Sequence, residues 1–228
     1  MSTQTTSQTH LSTWVKVINF LLIGGAIIAF GGITLVALTA LGQALPATSD
    51  KAYWFISRSS GVLAYVLLTF GMLWGLVQSG GILRPTIPPL LALGLHSFLN
   101  WSALVMTALH GLILLGDNFI KLSLADVLIP FNSTFSPLLM GVGILSGYLM
   151  LLLSSSFYAR KWLGHKNFKT IHYASYATFL LVTLHSVGLG TDSGLMWPLA
   201  LLSTVAVLLL TIWRVSIAAL NSLPADQP

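Results

Sequence analysis

Long apolar stretches, each closed by a short polar or glycine- and proline-rich break, organise this chain. The first runs from about Val17 to Leu41 without a charge. The others run from about Trp54 to Val77, Pro89 to Leu115, Pro137 to Ser156, Thr170 to Gly190 and Trp197 to Trp213. Each is near the roughly 20 residues that a helix needs to cross a bilayer. Pro88 and Pro89 suit the start of the third, and Pro198 falls in the first turn of the sixth. The pattern predicts an all-α integral membrane protein. Residues 1–16 form a polar tail, 17–213 a six-transmembrane-helix bundle and 214–228 a short C-terminal tail. The ALPA that follows the first stretch resembles a leader cleavage site. That stretch is longer than a leader's apolar region and its start carries few positive charges, so it is read as a span. Gly24, Gly25, Gly31 and Gly32 suit close helix packing there.

Composition agrees with a bilayer as solvent. Of the 228 residues, 55% are hydrophobic and 7% charged, against about a quarter charged in a soluble domain. There is no cysteine, which excludes disulfides, iron–sulfur clusters and thiolate-held zinc or haem. The net charge of +5 is assigned to membrane topology, not to nucleic acid. With the N-terminus inside, Lys16, Arg84, Arg160, Lys161, Lys166, Lys169 and Arg214 all lie inside. Lys51, Arg58 and Lys121 lie outside. This bias predicts a cell (inner) membrane protein with both termini cytoplasmic. The connection Gly116 to Phe135 mixes Leu, Ile and Phe with two acids and reads as an interfacial lid on the outer face. Its Asn132-Ser133-Thr134 matches a glycosylation acceptor that nothing else supports.

Candidate chemistry sits in the spans. His96 and His110 lie in the third stretch, fourteen residues apart; His172 and His185 lie in the fifth, thirteen apart. His10 and His165 fall in polar segments and are read as solvated. Ionisable side chains are rare and costly at membrane depth. Both stretches run in the same direction, so His96 and His172 share one depth and His110 and His185 another. The surroundings repeat as TALHG and VTLHS. Two facing imidazoles at one depth suit both axial positions of a haem iron, and two such pairs would make a transmembrane electron wire. Packing histidines are the plain alternative for a single residue; four in two matched depths argue against it. Zinc lacks ligands. On an ideal helix a spacing of fourteen returns to within about 40° of the same face, whereas thirteen lands about 140° away. Residues alone therefore support the third-span pair better than the fifth-span pair.

The stretches WFISRSSGVLAYVLL, the two-histidine third span, NFKTIHYASYATFLLVTLHS and GLGTDSG together resemble the ferric reductase-like transmembrane domain family. This is the haem-binding membrane module of ferric reductases and NADPH oxidases and their bacterial stand-alone relatives. The resemblance covers roughly Trp54 to Trp213. It implies six helices with two haem b groups between spans three and five. His96 and His172 would then ligate the inner haem, and His110 and His185 the outer. It implies a propionate partner role for Arg58, favoured over snorkelling, and a similar role for Arg84 and Lys169, where the positive-inside bias explains them equally well. Phe179 lies between the two depths and reads as core, with a bridge between haem edges as the alternative.

Only fourteen residues follow Arg214, and no G-x-G-x-x-G follows a strand. A flavin or NAD(P)H domain is therefore not expected. The expected function is a di-haem b transmembrane electron-transfer subunit, the electron-transfer component of an oxidoreductase. A cytoplasmic flavoprotein or quinol would supply electrons and an outer acceptor would receive them. Arg160, Lys161, Lys166 and Lys169 could dock an acidic flavoprotein, although topology explains that cluster better. A related alternative is a haem-binding membrane anchor of a periplasmic reductase such as methionine sulfoxide reductase. A haem-free histidine-relay channel is the third reading; it lacks the buried acids that such paths use.

Overall fold

The computed structural model describes residues 52–81, 87–117, 120–190 and 193–221. The first predicted span, the N-terminal tail with His10, and Arg84 lie outside the described residues. Every regular element among those described is helical. In chain order these are α1 (Ala52–Ser79), α2 (Pro89–Leu112), a 3-10 turn (Ile113–Gly116) and α3 (Leu124–Leu128). Then come α4 (Pro137–Ser156), α5 (Arg160–His172), α6 (Ala174–Leu189) and α7 (Ser193–Asn221).

Four helical stretches are long and apolar enough to cross a membrane: Tyr53–Ser79, Pro89–Gly116, Pro137–Ser156 and Gly194–Leu220. They match the second, third, fourth and sixth predicted spans. α2 and α4 start on proline, as expected from a fixed φ and an amide that needs no partner at the first position. The last helix differs from expectation. It begins at Ser193, so Pro198 lies inside it and not in its first turn, and it continues past Arg214 into the predicted tail.

The fifth predicted span is divided. α6 has 16 residues, about 24 Å at 1.5 Å per residue, which is less than a hydrocarbon core of about 30 Å. The division falls at Tyr173, whose N–H is shared between the carbonyls of Lys169 and Thr170, at 3.2 Å each. Tyr176 N–H then donates to Tyr173 O. These three-residue bonds tighten the chain locally, as a 3-10 turn does. α5 is itself broken at Gly164, whose φ of 73° and ψ of 160° only glycine adopts without strain.

α1 is the central helix. Its Leu73 and Leu76 join Phe179 of α6 and Ala206, Val207, Leu210 and Trp213 of α7. Its Tyr65 and Val66 pack on Met196 and Leu199 of α7, and its Leu68 on Ala103 and Met150. α2 is peripheral by contrast: only 6% of its apolar window is buried, against 50% for α1. Leu90, Leu91, Phe98 and Val105 stand more than half exposed on α2. Such an apolar exterior suits lipid, in which a helix keeps its backbone hydrogen bonds to itself.

α1 and α2 run antiparallel in tight register. A β-carbon on Gly61 would meet His110, one on Gly71 would meet Asn100, and one on Gly75 would meet His96. Leu68 and Ala103 pack at the level between. His96, Ala103 and His110 thus recur every seven residues along one seam. A supercoiled pair keeps such a seam in line, which removes the angular drift that an ideal straight helix would give to a spacing of fourteen.

Candidate functional site

Two layers of paired histidines occupy the space between α2 and the α5–α6 segment. In the first layer the ring centres of His96 and His172 are 6.1 Å apart and the planes inclined by 65°. In the second, His110 and His185 are also 6.1 Å apart, inclined by 83°. Fourteen residues of α2 separate the layers by about 21 Å along the helix. The four sequence-predicted histidines are brought together as the depth argument paired them. His172 and His185, thirteen apart, both face α2, with the tightened turn at Tyr173 lying between them.

The His110–His185 layer is held from behind. His110 Nδ1 lies 2.8 Å from Ser57 O, and His185 Nδ1 lies 2.8 Å from Leu139 O. A carbonyl can only accept, so each Nδ1 carries the proton and each Nε2 keeps its lone pair. That tautomer suits an imidazole that ligates a metal through Nε2. Ser57 Oγ donates to the His110 carbonyl at 2.9 Å and sits 3.1 Å from His110 Nδ1. Glycines make the space. A β-carbon on Gly61 would stand 2.8 Å from His110 Nδ1, and one on Gly143 2.5 Å from His185 Nδ1 and Cε1. The lid residue Val127 reaches this end, against Gly111.

The His96–His172 layer is looser. Asn100 Nδ2 donates to His96 O at 2.7 Å and touches both ring nitrogens only at 3.4 Å. His172 Nδ1 is buried with no hydrogen-bond partner among the described residues. Such an atom costs about 1–3 kcal/mol unless something takes it up. The Phe168 ring stacks on His172 at 5.6 Å and 23°. Beside both rings lies a cavity of about 470 Å³, within the size range of organic-ligand sites. Lys169 and His165 line it, so His165, read from sequence as solvated, is exposed but borders the site.

The other predicted residues fall around these layers. Arg58 stands in the second turn of α1, next to Ser57, with its guanidinium 4.0 Å above the Trp54 ring. Phe179 is buried between the layers and stacks on Tyr65 at 6.2 Å and 25°; Tyr65 Oη is 3.2 Å from Thr183 Oγ1. Sequence reasoning missed Ser57, Asn100 and the Leu139 carbonyl. A signal for the glycines was present: Gly61 and Gly75 are fourteen apart, the spacing of His96 and His110.

The donor set limits what each layer can hold. No group of three or more metal-ligating side chains occurs among the described residues. A metal here would take two imidazoles from the protein and its remaining ligands elsewhere, as from a macrocycle. Two metal–nitrogen bonds of about 2 Å each, plus about 1.1 Å from each nitrogen to its ring centre, place coaxial imidazoles about 6.2 Å apart. Both layers have that centre-to-centre span, the separation that two imidazoles holding one haem iron would need. No family model, curated protein or solved structure matches this chain.

Proposed function

We propose that this chain is a di-haem b electron-transfer subunit of a ferric reductase-like membrane oxidoreductase. The observation that carries the reading is the repeated 6.1 Å separation of two histidine pairs at two depths. Two of the four rings are tied back through Nδ1, which leaves Nε2 for a metal. The motif resemblance, which rests on the quoted stretches alone, points the same way. In this reading the bundle has six spans, of which residues 17–41 are the first. It sits in the inner membrane with both termini cytoplasmic, and the basic segment Arg160 to Lys169 marks the cytoplasmic side.

His96 and His172 would hold one haem and His110 and His185 the other. Haem b bound there would supply one-electron redox chemistry, and two imidazoles drawn from the protein suit it to carrying electrons. Ser57 and Leu139 orient the second pair, Gly61, Gly75 and Gly143 leave room for three of the rings, and Arg58 offers charge near the second layer. Tyr65 and Phe179 fill the space between the layers and exclude water. The donor in this reading is a cytoplasmic flavoprotein or quinol, and the acceptor lies on the lid side.

The test is the haem-to-protein ratio and reduced-minus-oxidised spectrum of detergent-purified protein. The expected ratio is about two, with low-spin b-type bands, falling to about one in His110→Ala or His185→Ala. A colourless protein from haem-replete cells would overturn the assignment and leave the histidines as a relay or as packing.

A further inference from the structure

The cavity beside His96 and His172 changes character along its depth. Leu68, Met72 and Met150 line its apolar part, while Arg160, Lys169 and Arg214 line it as well. The three cations come from both ends of α5 and from α7, and the Gly164 break lies between the two on α5. Arg160 is further held by the Phe157 ring at 5.2 Å. No Asp or Glu is among the residues that line the cavity.

Topology alone requires cations on one side of a membrane. It does not require three of them, from two helices, to line the cavity beside the facing pair His96 and His172. Arg160 and Lys169 are exposed and Arg214 is partly buried, so all three side chains are open to a ligand that carries negative charge and enters the cavity they line. A lining that combines apolar side chains, two facing imidazoles and three cations matches a flat amphipathic ligand that carries carboxylates.

The geometry points to Arg160, Lys169 and Arg214 as the receiving site for the two carboxylates of the macrocycle that His96 and His172 would hold. This rests on the di-haem reading and deepens it for one of the two sites. The arginines would contribute charge-assisted, directional hydrogen bonds, and Lys169 a point charge. Arg214, which a charge count assigns to topology, then becomes a ligand contact.

The test uses full-length apoprotein carrying His110→Ala, so that only the His96–His172 pair binds. The probes are haemin and haemin dimethyl ester, whose carboxylates are masked, titrated by the low-spin absorption band. The parent should bind haemin at least about tenfold more tightly than the ester, a modest demand for two charge-assisted bonds. Adding Arg160→Gln and Arg214→Gln should abolish that preference while leaving ester affinity unchanged, which also reports an intact cavity. Equal binding of the two probes by the parent, a comparison that needs no arginine variant, would overturn the inference. So would a double variant that keeps the preference but loses co-purifying phosphatidylglycerol, because the cations would then be holding lipid phosphate. Failure of both probes to give a low-spin spectrum would instead strike at the di-haem reading itself.

Discussion

The two histidine layers share one ring separation but are built differently. On the lid side, both Nδ1 atoms are bonded to backbone carbonyls and glycines press against both rings. On the basic side, His96 meets Asn100 at 3.4 Å and the Gly71 backbone, His172 Nδ1 has no partner among the described residues, and a cavity opens beside both. The lid-side rings are fixed through Nδ1 to backbone carbonyls, and the basic-side rings border a cavity. A preorganised pair holds its ligand geometry before anything binds. A pair beside a cavity depends more on what fills that cavity, and charge at the rim can take over what backbone hydrogen bonds do elsewhere.

The largest effect that separates the layers should come from adding one methyl group to each. Gly143→Ala would place a β-carbon 2.5 Å from two atoms of the His185 ring, and the Leu139 carbonyl holds that ring at Nδ1. Overpacking of this kind costs about 1–3 kcal/mol, so haem affinity at the lid-side layer should fall about tenfold or more. Gly75→Ala would approach the nearest His96 atom only to 3.0 Å, and that ring borders the cavity and can yield. Its effect should stay below about threefold. Titration of each variant with haemin, in backgrounds that keep one histidine pair, measures both. The reverse order would show that the basic-side ring is the more tightly held.

Part of this was legible from residues alone. Four of the predicted spans appear as long apolar helices, because runs of Leu, Val and Ile bounded by proline and glycine leave the backbone one stable choice in lipid. The pairing by depth followed from the spacings of fourteen and thirteen. What could not be read is what depends on neighbours in space. Ser57 and Leu139 serve through main-chain oxygens, which carry no signature in a sequence. The spacing shared by Gly61 and Gly75 with His96 and His110 means something only once α1 and α2 are known to be antiparallel in register. The break at Tyr173 replaces a continuous fifth span where the local bonds tighten, and His172 and His185 are seen to face α2 only once the helices are packed. Pro198 looked like a helix start because proline favours that position, yet the chain is already helical from Ser193.

Ser57→Ala should have a smaller effect and should sharpen the contrast. The substitution removes the Oγ bond to the His110 carbonyl but leaves the Ser57 carbonyl that accepts from Nδ1. A single partly buried hydrogen bond contributes about 1 kcal/mol. Thermal stability should fall modestly, and the lid-side haem should remain bound with its low-spin bands unchanged. Loss of those bands would mean that the hydroxyl, not the carbonyl, sets the ring.

The smallest effect belongs to the lid, since the Nδ1 hydrogen bonds of the lid-side rings go to Ser57 and Leu139 and not to it. Ser123 caps α3: Asp126 accepts from Ser123 N–H at 2.9 Å, from its hydroxyl at 2.6 Å and from Asn132 Nδ2 at 2.8 Å. Donation by the Ser123 hydroxyl, then by its N–H and by Asn132, holds the Asp126 carboxyl below the usual carboxylate range. A carboxyl depressed on folding stabilises the folded lid fully above its unfolded value of about 3.9. It loses that contribution as pH falls toward and through the lower folded value. Because the group is exposed, the change should be confined to the lid. Hydrogen exchange at the α3 amides, corrected for intrinsic rates, should show protection decreasing between pH 6 and 3 in the parent chain. Asp126→Asn should show weak protection with little pH dependence. The lid-side histidine layer should be indifferent to both changes, since the Val127 side chain lies against Gly111, beside His110, as an apolar touch. A shift of the lid-side haem bands in step with lid protection would instead make the lid part of what orders that layer, and the ordering could no longer be assigned to α1 and α4 alone.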